Sequence, residues 1–332
     1  MSDSAFGEAG IMGCEQTHPE LETWADFVRE FALNASPSWV FRGHGRHDWQ
    51  LVTTLNRAFD EAGIEDAKDR TVAENSTIGL FQERARLHLD HPPDEHDLLG
   101  WLAVMQHYGA PTRLQDWTQS PFVAAYFAYR AASGEDACIW ALQAFLCRRA
   151  LTPVMVGMPW DHLGVMSVEG EDEHGEPLVM YPWTELRRVE VENETLREAI
   201  RGGNGWPLPI LPLGYDARMA AQQAVFVCAT QIAFPLDALL DKGEWPKPTK
   251  PERFVEQMTK QQAEYPLEQP FQVLKKIHLR AAWRDDALRT LRQMGIAEET
   301  MFPSLDGVGR AARMYLGKGD APLQDALHSL GI

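Results

Sequence analysis

What this 332-residue chain has little of narrows it first. Cysteine is sparse: Cys14, Cys138, Cys147 and Cys228 stand far apart, with no CxxC pair and no Cys/His spacing that assembles tetrahedral zinc, so they read as free thiols and no metal is expected. No stretch approaches the ~18 apolar residues a membrane helix requires. Met1-Ser2-Asp3-Ser4 shows neither the basic nor the apolar region of a secretory leader, and the expectation is a cytoplasmic chain with no membrane partner. Cations are outnumbered, 31 Lys and Arg against 48 Asp and Glu, for a formal charge of -17. That balance argues against nonspecific binding along a nucleic acid backbone, which needs an excess of Lys and Arg on one face, but is compatible with a local basic pocket. Familiar phosphate and nucleophile turns are also missing: there is no GxxxxGK[ST], no GxSxG and no GxGxxG after a strand.

What is there suffices for a core. With 45% hydrophobic and 24% charged residues, the chain can bury one large domain or two small ones. Leu21, Trp24, Phe27, Val28 and Phe31 recur at helical spacing and predict a helix ending near Asn34. Ser38 to Phe41 reads as a short buried strand, with Arg42 at its end and Gly43 and Gly45 allowing a turn. Thr71 to Leu89 reads as a helix. Asp97 is a plausible N-cap for a helix that Gly109 stops, and Ser120-Pro121 opens another that Ser133-Gly134 closes. Thr112 to Thr118 is then a connector between two helices. Ala137 to Phe145, Ala224 to Ala229 and Phe271 to Leu279 read as strands, and Ala281 to Met294 and Asp306 to Tyr315 as helices. Without a regular βαβ rhythm, this mixture favours α+β. Residues 161–177 and 243–270, the latter with five prolines, read as long surface loops or insertions.

Two glycine-punctuated segments carry the chemistry: Trp39-Val40-Phe41-Arg42-Gly43-His44-Gly45 and Gln106 to Thr118. Both set charged groups among large apolar ones, which is costly unless the charges are paired or face a ligand. Arg42 and Arg113 can each grip a phosphate bidentately, or each can form a structural salt bridge, with Asp116 or Asp48 for example. His107, Tyr108, Trp117 and Trp49 can supply a stacking surface, or core. Asp116 can orient Arg113 or stabilise a developing cation. Arg218 and Gln222-Gln223, ahead of Val225-Phe226-Val227, can hold a ribose hydroxyl or satisfy neighbouring backbone.

Phe41-Arg42-Gly43, the block from Gln106 to Ala128, and Leu291 to Gly307 together resemble the FRG domain family, named for its (Phe/Tyr)-Arg-Gly motif. The resemblance runs in order from about Ser38 to Arg313 and implies one α+β domain over residues 21–316 with a mixed or antiparallel β core, between tails at 1–20 and 317–332. The order of parts is also remotely similar to the ADP-ribosyltransferases. That likeness implies an NAD-using enzyme in which Arg42, Gly43, His107, Tyr108 and Arg113 bind the nucleotide and Asp116, Gln223 and Thr118 serve the chemistry. NAD would be the substrate, and the macromolecular acceptor is unspecified. Gln223 departs from the glutamate of that superfamily. The alternatives are a module that binds a nucleotide or a nucleic acid end without chemistry, and a protein-interaction component. The expected setting is a bacterial toxin or phage-defence system.

Overall fold

The structure is a computed structural model, and it describes residues 14–15, 21–34, 39–144, 147, 166–171, 177–180, 193–202, 207–211, 216–233, 235–238 and 273–315. Its centre is one sheet. Strands β1 (Cys14–Glu15), β2 (Trp39–His44), β3 (Leu114–Thr118), β4 (Ala137–Gln143), β7 (Pro207–Ile210), β8 (Ala224–Ala229) and β9 (Leu274–Leu279) lie in the order β1-β9-β4-β2-β3-β8-β7. The strands from β9 to β7 are antiparallel to their neighbours, and only the two-residue β1 joins parallel, at the edge. The α+β expectation therefore holds. Strands β5 (Met166–Glu171) and β6 (Pro177–Met180) pair with each other, so part of the segment expected as a loop is a two-stranded ribbon.

Helices cover both faces. All seven residues of β4 are buried, as a central strand packed on two sides requires. On one face, Trp39 and Phe41 of β2 and Ile139 of β4 meet α1 (Trp24–Asn34), α5 (Pro121–Ala131) and α8 (Arg284–Gln293) through Phe27, Ala125 and Leu291. On the other face, Val40, Trp140, Leu114 and Val227 pack with Leu102 and Met105 of α4 (Leu98–His107) and Leu196 of α6 (Asn193–Gly202). The remaining helices are α2 (Thr54–Ala62), α3 (Ala67–Ala85), α7 (Ala217–Ala221), α9 (Glu298–Met301) and α10 (Leu305–Tyr315).

The helix boundaries have local causes. The Asp97 carboxylate accepts from Gly100 N at 2.9 Å to open α4, and past its end Gly109 takes φ 79°. The Ser120 hydroxyl accepts from Val123 N and Pro121 follows at the first helical position, which together start α5.

Two local readings need correction. Thr112 to Thr118 is no mere connector: Leu114 to Thr118 is a full strand, paired with β8 from Leu114↔Cys228 to Thr118↔Ala224. Gly43 and Gly45 do not make a positive-φ turn either. They let α5 lie against β2: a Cβ on Gly43 would stand 2.0 Å from the Ala124 carbonyl oxygen, and one on Gly45 would stand 2.6 Å from the Ala131 carbonyl carbon. Close packing, not backbone freedom, requires these glycines. Gly243 to Pro270 and the expected tails at 1–20 and 317–332 lie outside the described residues, apart from Cys14 and Glu15.

Candidate functional site

Strand β2 joins β4 through six register pairs, Trp39↔Gln143 to His44↔Cys138, but meets β3 only at Phe41↔Thr118. The two strands diverge on either side of that contact and leave a notch in the sheet. Arg42 spans it. Its Nη1 donates to the Asp116 carbonyl oxygen at 2.5 Å, and its Nε donates to His44 Nε2 at 3.1 Å. Among the described residues no carboxylate forms an ion pair with Arg42, and the Asp116 carboxylate takes a hydrogen bond from Gln106 Nε2 at 3.1 Å rather than a cation.

This geometry sets the charges. Burial lowers the Arg42 pKa, the Asp116 carboxylate opposes that, and Arg57 adds like-charge repulsion. The guanidinium nevertheless stays protonated. His44 is buried, and that burial, reinforced by Arg42, drops its pKa to about 3. The ring is therefore neutral at physiological pH. Because its Nε2 accepts from Arg42, the hydrogen-bond network places the remaining proton on Nδ1.

Beside the notch lies a cavity of about 310 Å³ whose lining includes Arg42 and Asp116 from the sheet, His107 from α4, Phe127 and Arg130 from α5, and Arg218 from α7. Gly43, Trp117, Thr118 and Gln222 also reach it. The Thr118 hydroxyl donates to the Gln222 carbonyl at 2.7 Å and accepts from Ser120 N at 3.1 Å, tying β3 to the turn before β8. His107 Nδ1 stands 3.9 Å from an Asp216 carboxylate oxygen. A volume of this size, with aromatic walls and a few convergent polar groups, is what small-ligand sites offer.

The predicted residues thus divide. Arg42, Gly43, His107, Asp116 and Thr118 gather at one cavity. Arg113 does not join them. It is 4% exposed and its Nε and Nη2 both bind the carboxylate of Glu74 on α3, while Nη1 donates to the Ala229 carbonyl at 2.8 Å. A second cavity, of about 430 Å³, opens beside that pair. Tyr108 is 66% exposed and lies edge-on to His107 rather than in the cavity. Gln223 is exposed and holds the left-handed φ of 47° just before β8, where its carbonyl accepts from Gln119 N. The residue that faces the cavity is its neighbour Gln222, whose amide donates to the Met301 carbonyl at 2.9 Å. Trp49 is 47% exposed and lies edge-on to His44.

Sequence reasoning missed a second charged cluster. Buried Glu298 accepts from Arg130 Nε at 2.6 Å, from Arg310 Nε at 2.5 Å and from the Tyr126 hydroxyl at 2.7 Å. Burial alone would raise its pKa, but those hydrogen bonds outweigh it and hold the carboxyl at about 2. Beside it the Phe302 ring lies within 4.8 Å of the Arg130 and Arg310 guanidinium carbons and 5.2 Å of that of Arg218. The only sequence signal was the block ending Phe302 to Gly307, which had no role attached. Gly307 fits there because a Cβ would stand 1.8 Å from the Phe302 carbonyl oxygen.

The thiols of the described side chains offer no nucleophile: Cys138 and Cys228 are buried and raised to about 12, and Cys147 is raised further by burial. The Cys14 side chain lies outside the described residues. Among the described residues no group of three His, Cys, Asp or Glu side chains is placed to hold a metal, and no helix is long and apolar enough to cross a membrane.

Neither the curated proteins nor the solved structures give a match to this chain. Residues 37–137 match the family model of the FRG domain. That stretch contains β2, α2 to α4, β3 and α5, and therefore the Arg42 notch together with Asp116, Phe127 and Arg130 of the cavity. The chain carries an FRG domain.

Proposed function

We propose that the cavity binds a nucleotide of the NAD type and that the chain is an ADP-ribosyltransferase-like enzyme, with Asp116 in place of Gln223 as the carboxylate facing the reacting bond. One observation carries this reading: among the described residues Arg42 is a half-buried cation without a salt bridge, and the Asp116 carboxylate, near enough to offset part of that charge, is bonded to Gln106 instead, both in the same small cavity. An unpaired, desolvated guanidinium fits a phosphate oxygen pair. An unpaired carboxylate fits a developing positive charge. In the reaction the bond between ribose C1′ and the nicotinamide nitrogen breaks, and both electrons leave with neutral nicotinamide. The ribose takes up oxocarbenium character, and an acceptor nucleophile completes the transfer by bonding to C1′ and losing its proton. Gln106 would hold the Asp116 carboxylate in place, and Phe127 and Trp117 would offer apolar walls. Consumption of NAD accords with the toxin or phage-defence setting implied by the family resemblance.

A second reading, a nucleotide-binding module without chemistry, is favoured by one specific observation. The Thr118 hydroxyl is engaged with the Gln222 carbonyl and Gln223 lies outside the cavity, so two of the three groups expected to act on the bond are occupied or absent. Incubation of the purified chain with NAD decides between them. The enzyme reading expects nicotinamide release that falls about 100-fold or more in Asp116→Asn, with the melting temperature nearly unchanged because Asp116 is exposed. Stabilisation by NAD without nicotinamide release, across protein and nucleic acid acceptors, selects the binding module. Neither release nor stabilisation overturns both.

A further inference from the structure

We infer that Arg218 and Arg130, braced on Phe302, form a second phosphate-recognising pole of the cavity, so that a nucleotide with a further phosphate across a ribose from the first is preferred over the same nucleotide without it. The argument begins with a charge imbalance. Three guanidinium groups, those of Arg130, Arg218 and Arg310, surround one phenyl ring within 5.2 Å. Each gains from the ring quadrupole, but like charges gathered around one ring repel. Among the described residues one carboxylate, Glu298, answers them, and it binds Arg130 and Arg310 only. The cluster keeps a positive excess, and Arg218 is its uncompensated member: no described residue accepts a hydrogen bond from it or pairs with it.

The nearest acid in sequence, Asp216, accepts from Met219 N at 2.6 Å to cap α7, and its other oxygen faces His107. Arg130 binds Glu298 through Nε and Nη2 and also interacts with the Tyr126 hydroxyl, so Arg218 is the less engaged of the two. Both arginines line the cavity, and Phe127, edge-on to Phe302 at 6.0 Å, continues the aromatic wall between them and the notch. The pole is built from other elements than the first: Arg42 stands on β2, whereas Arg130, Arg218 and Phe302 come from α5, α7 and the end of α9. Two guanidinium regions joined by an aromatic wall suit two phosphates on either side of a nucleoside, whether on a nucleoside bisphosphate or at a phosphorylated oligonucleotide end. The inference rests on the nucleotide reading of the cavity but does not require any bond to break.

The test is calorimetry on the full chain with AMP, adenosine 2′,5′-bisphosphate and a 5′-phosphorylated deoxyadenosine dinucleotide, using wild type, Arg218→Ala and Arg218→Lys. Wild type is expected to bind at least one doubly phosphorylated probe about 10-fold or more tighter than AMP, since each charge-assisted pair contributes on that scale. Whichever probe gains identifies the source, small nucleotide or nucleic acid end. Arg218→Ala should reduce the advantage, taken as each protein's own ratio to AMP, to less than about twofold, and Arg218→Lys should restore part of it, because lysine keeps the charge and loses the planar fork. Equal affinity of wild type for all three probes, no binding of any probe, or an advantage that survives Arg218→Ala overturns the inference. Arg218 is exposed on a short helix, so an unchanged urea midpoint is the expected control for folding. Bisphosphate preference without nicotinamide release removes the transferase reading and keeps this one, and release without the preference does the reverse.

Discussion

Arg42 and Arg113 occur in the two segments that mark this chain, and their surroundings could hardly differ more. Arg113 is enclosed, its donors bound to Glu74 from α3 and to the Ala229 carbonyl from β8. Arg42 bridges a gap in the sheet, bonded to a carbonyl and a neutral imidazole, with no salt bridge among the described residues. The first arrangement fastens three elements together. The second leaves a cation available. A motif arginine is therefore classified by whether a distant carboxylate reaches it, which its neighbours in sequence do not reveal.

The largest expected effect breaks the comparison at its structural end. Arg113→Ala should lower stability by about 3–5 kcal/mol in urea melts, because Glu74 is left charged and unpaired in the interior. Arg113→Ala with Glu74→Ala should recover part of that loss, as coupling in a double-mutant cycle. A loss below about 1 kcal/mol would place Arg113 with Arg42 as an available cation.

Glu298 provides an intermediate case, a carboxylate shared by two arginines at the cavity wall. Its folded pKa of about 2 lies below the ordinary 4.5, so the unfolded chain binds more protons between those values. The stabilisation, about 3 kcal/mol, is complete above about pH 4.5 and is lost as pH falls toward 2. Glu298→Gln should be destabilised at neutral pH and show a flatter stability profile across that window. An unchanged acid slope would show that the cluster is not what acid titrates.

Gly43→Ala tests whether the notch is fixed by packing. The added Cβ meets the Ala124 carbonyl at 2.0 Å, so α5 must shift, at about 1–3 kcal/mol. Any ligand that stabilises wild type should bind the variant less well. The smallest stability effect belongs to Arg42→Ala, about 1 kcal/mol, since it removes hydrogen bonds to a carbonyl and an imidazole rather than an ion pair. Its signature is the loss of thermal stabilisation by NAD or AMP. A drop of several kcal/mol with ligand binding intact would return Arg42 to the same class as Arg113.

Much of the fold was legible in the sequence because its signals are local. The Asp97 and Ser120 caps, Pro121 and Gly109 each act within a turn of the helix they bound, and β8 reads as an unbroken apolar run. Strand β3 was not legible. It is five residues long with exposed Asp116 at its centre, and only its pairing with β8 makes it a strand, a case of tertiary context overriding propensity. Of the candidate site, the two motifs drew attention to Arg42, Asp116 and Thr118, and these do line one cavity, although the strand that carries the last two was read as a connector. It was not legible where partners come from far along the chain. Glu74, 39 residues before Arg113, removes that arginine from the cavity, and Glu298, 168 residues after Arg130, builds a cluster that no spacing suggests. Gln223 was misplaced by one residue: its left-handed φ of 47° precedes β8, and the cavity is lined by Gln222 instead.

The single rung between β2 and β3 has a consequence for where this unit can be cut. The recognisable stretch ends at Ala137, the first residue of β4. Excised at those borders it would keep two strands that barely touch, each with the edge it normally presents to β4 or β8 laid bare, an invitation to intermolecular pairing. What sequence identifies and what can be transplanted are different lengths of chain: any graft, truncation or chimera must carry residues through at least Leu279 to close the sheet around the motif that names it.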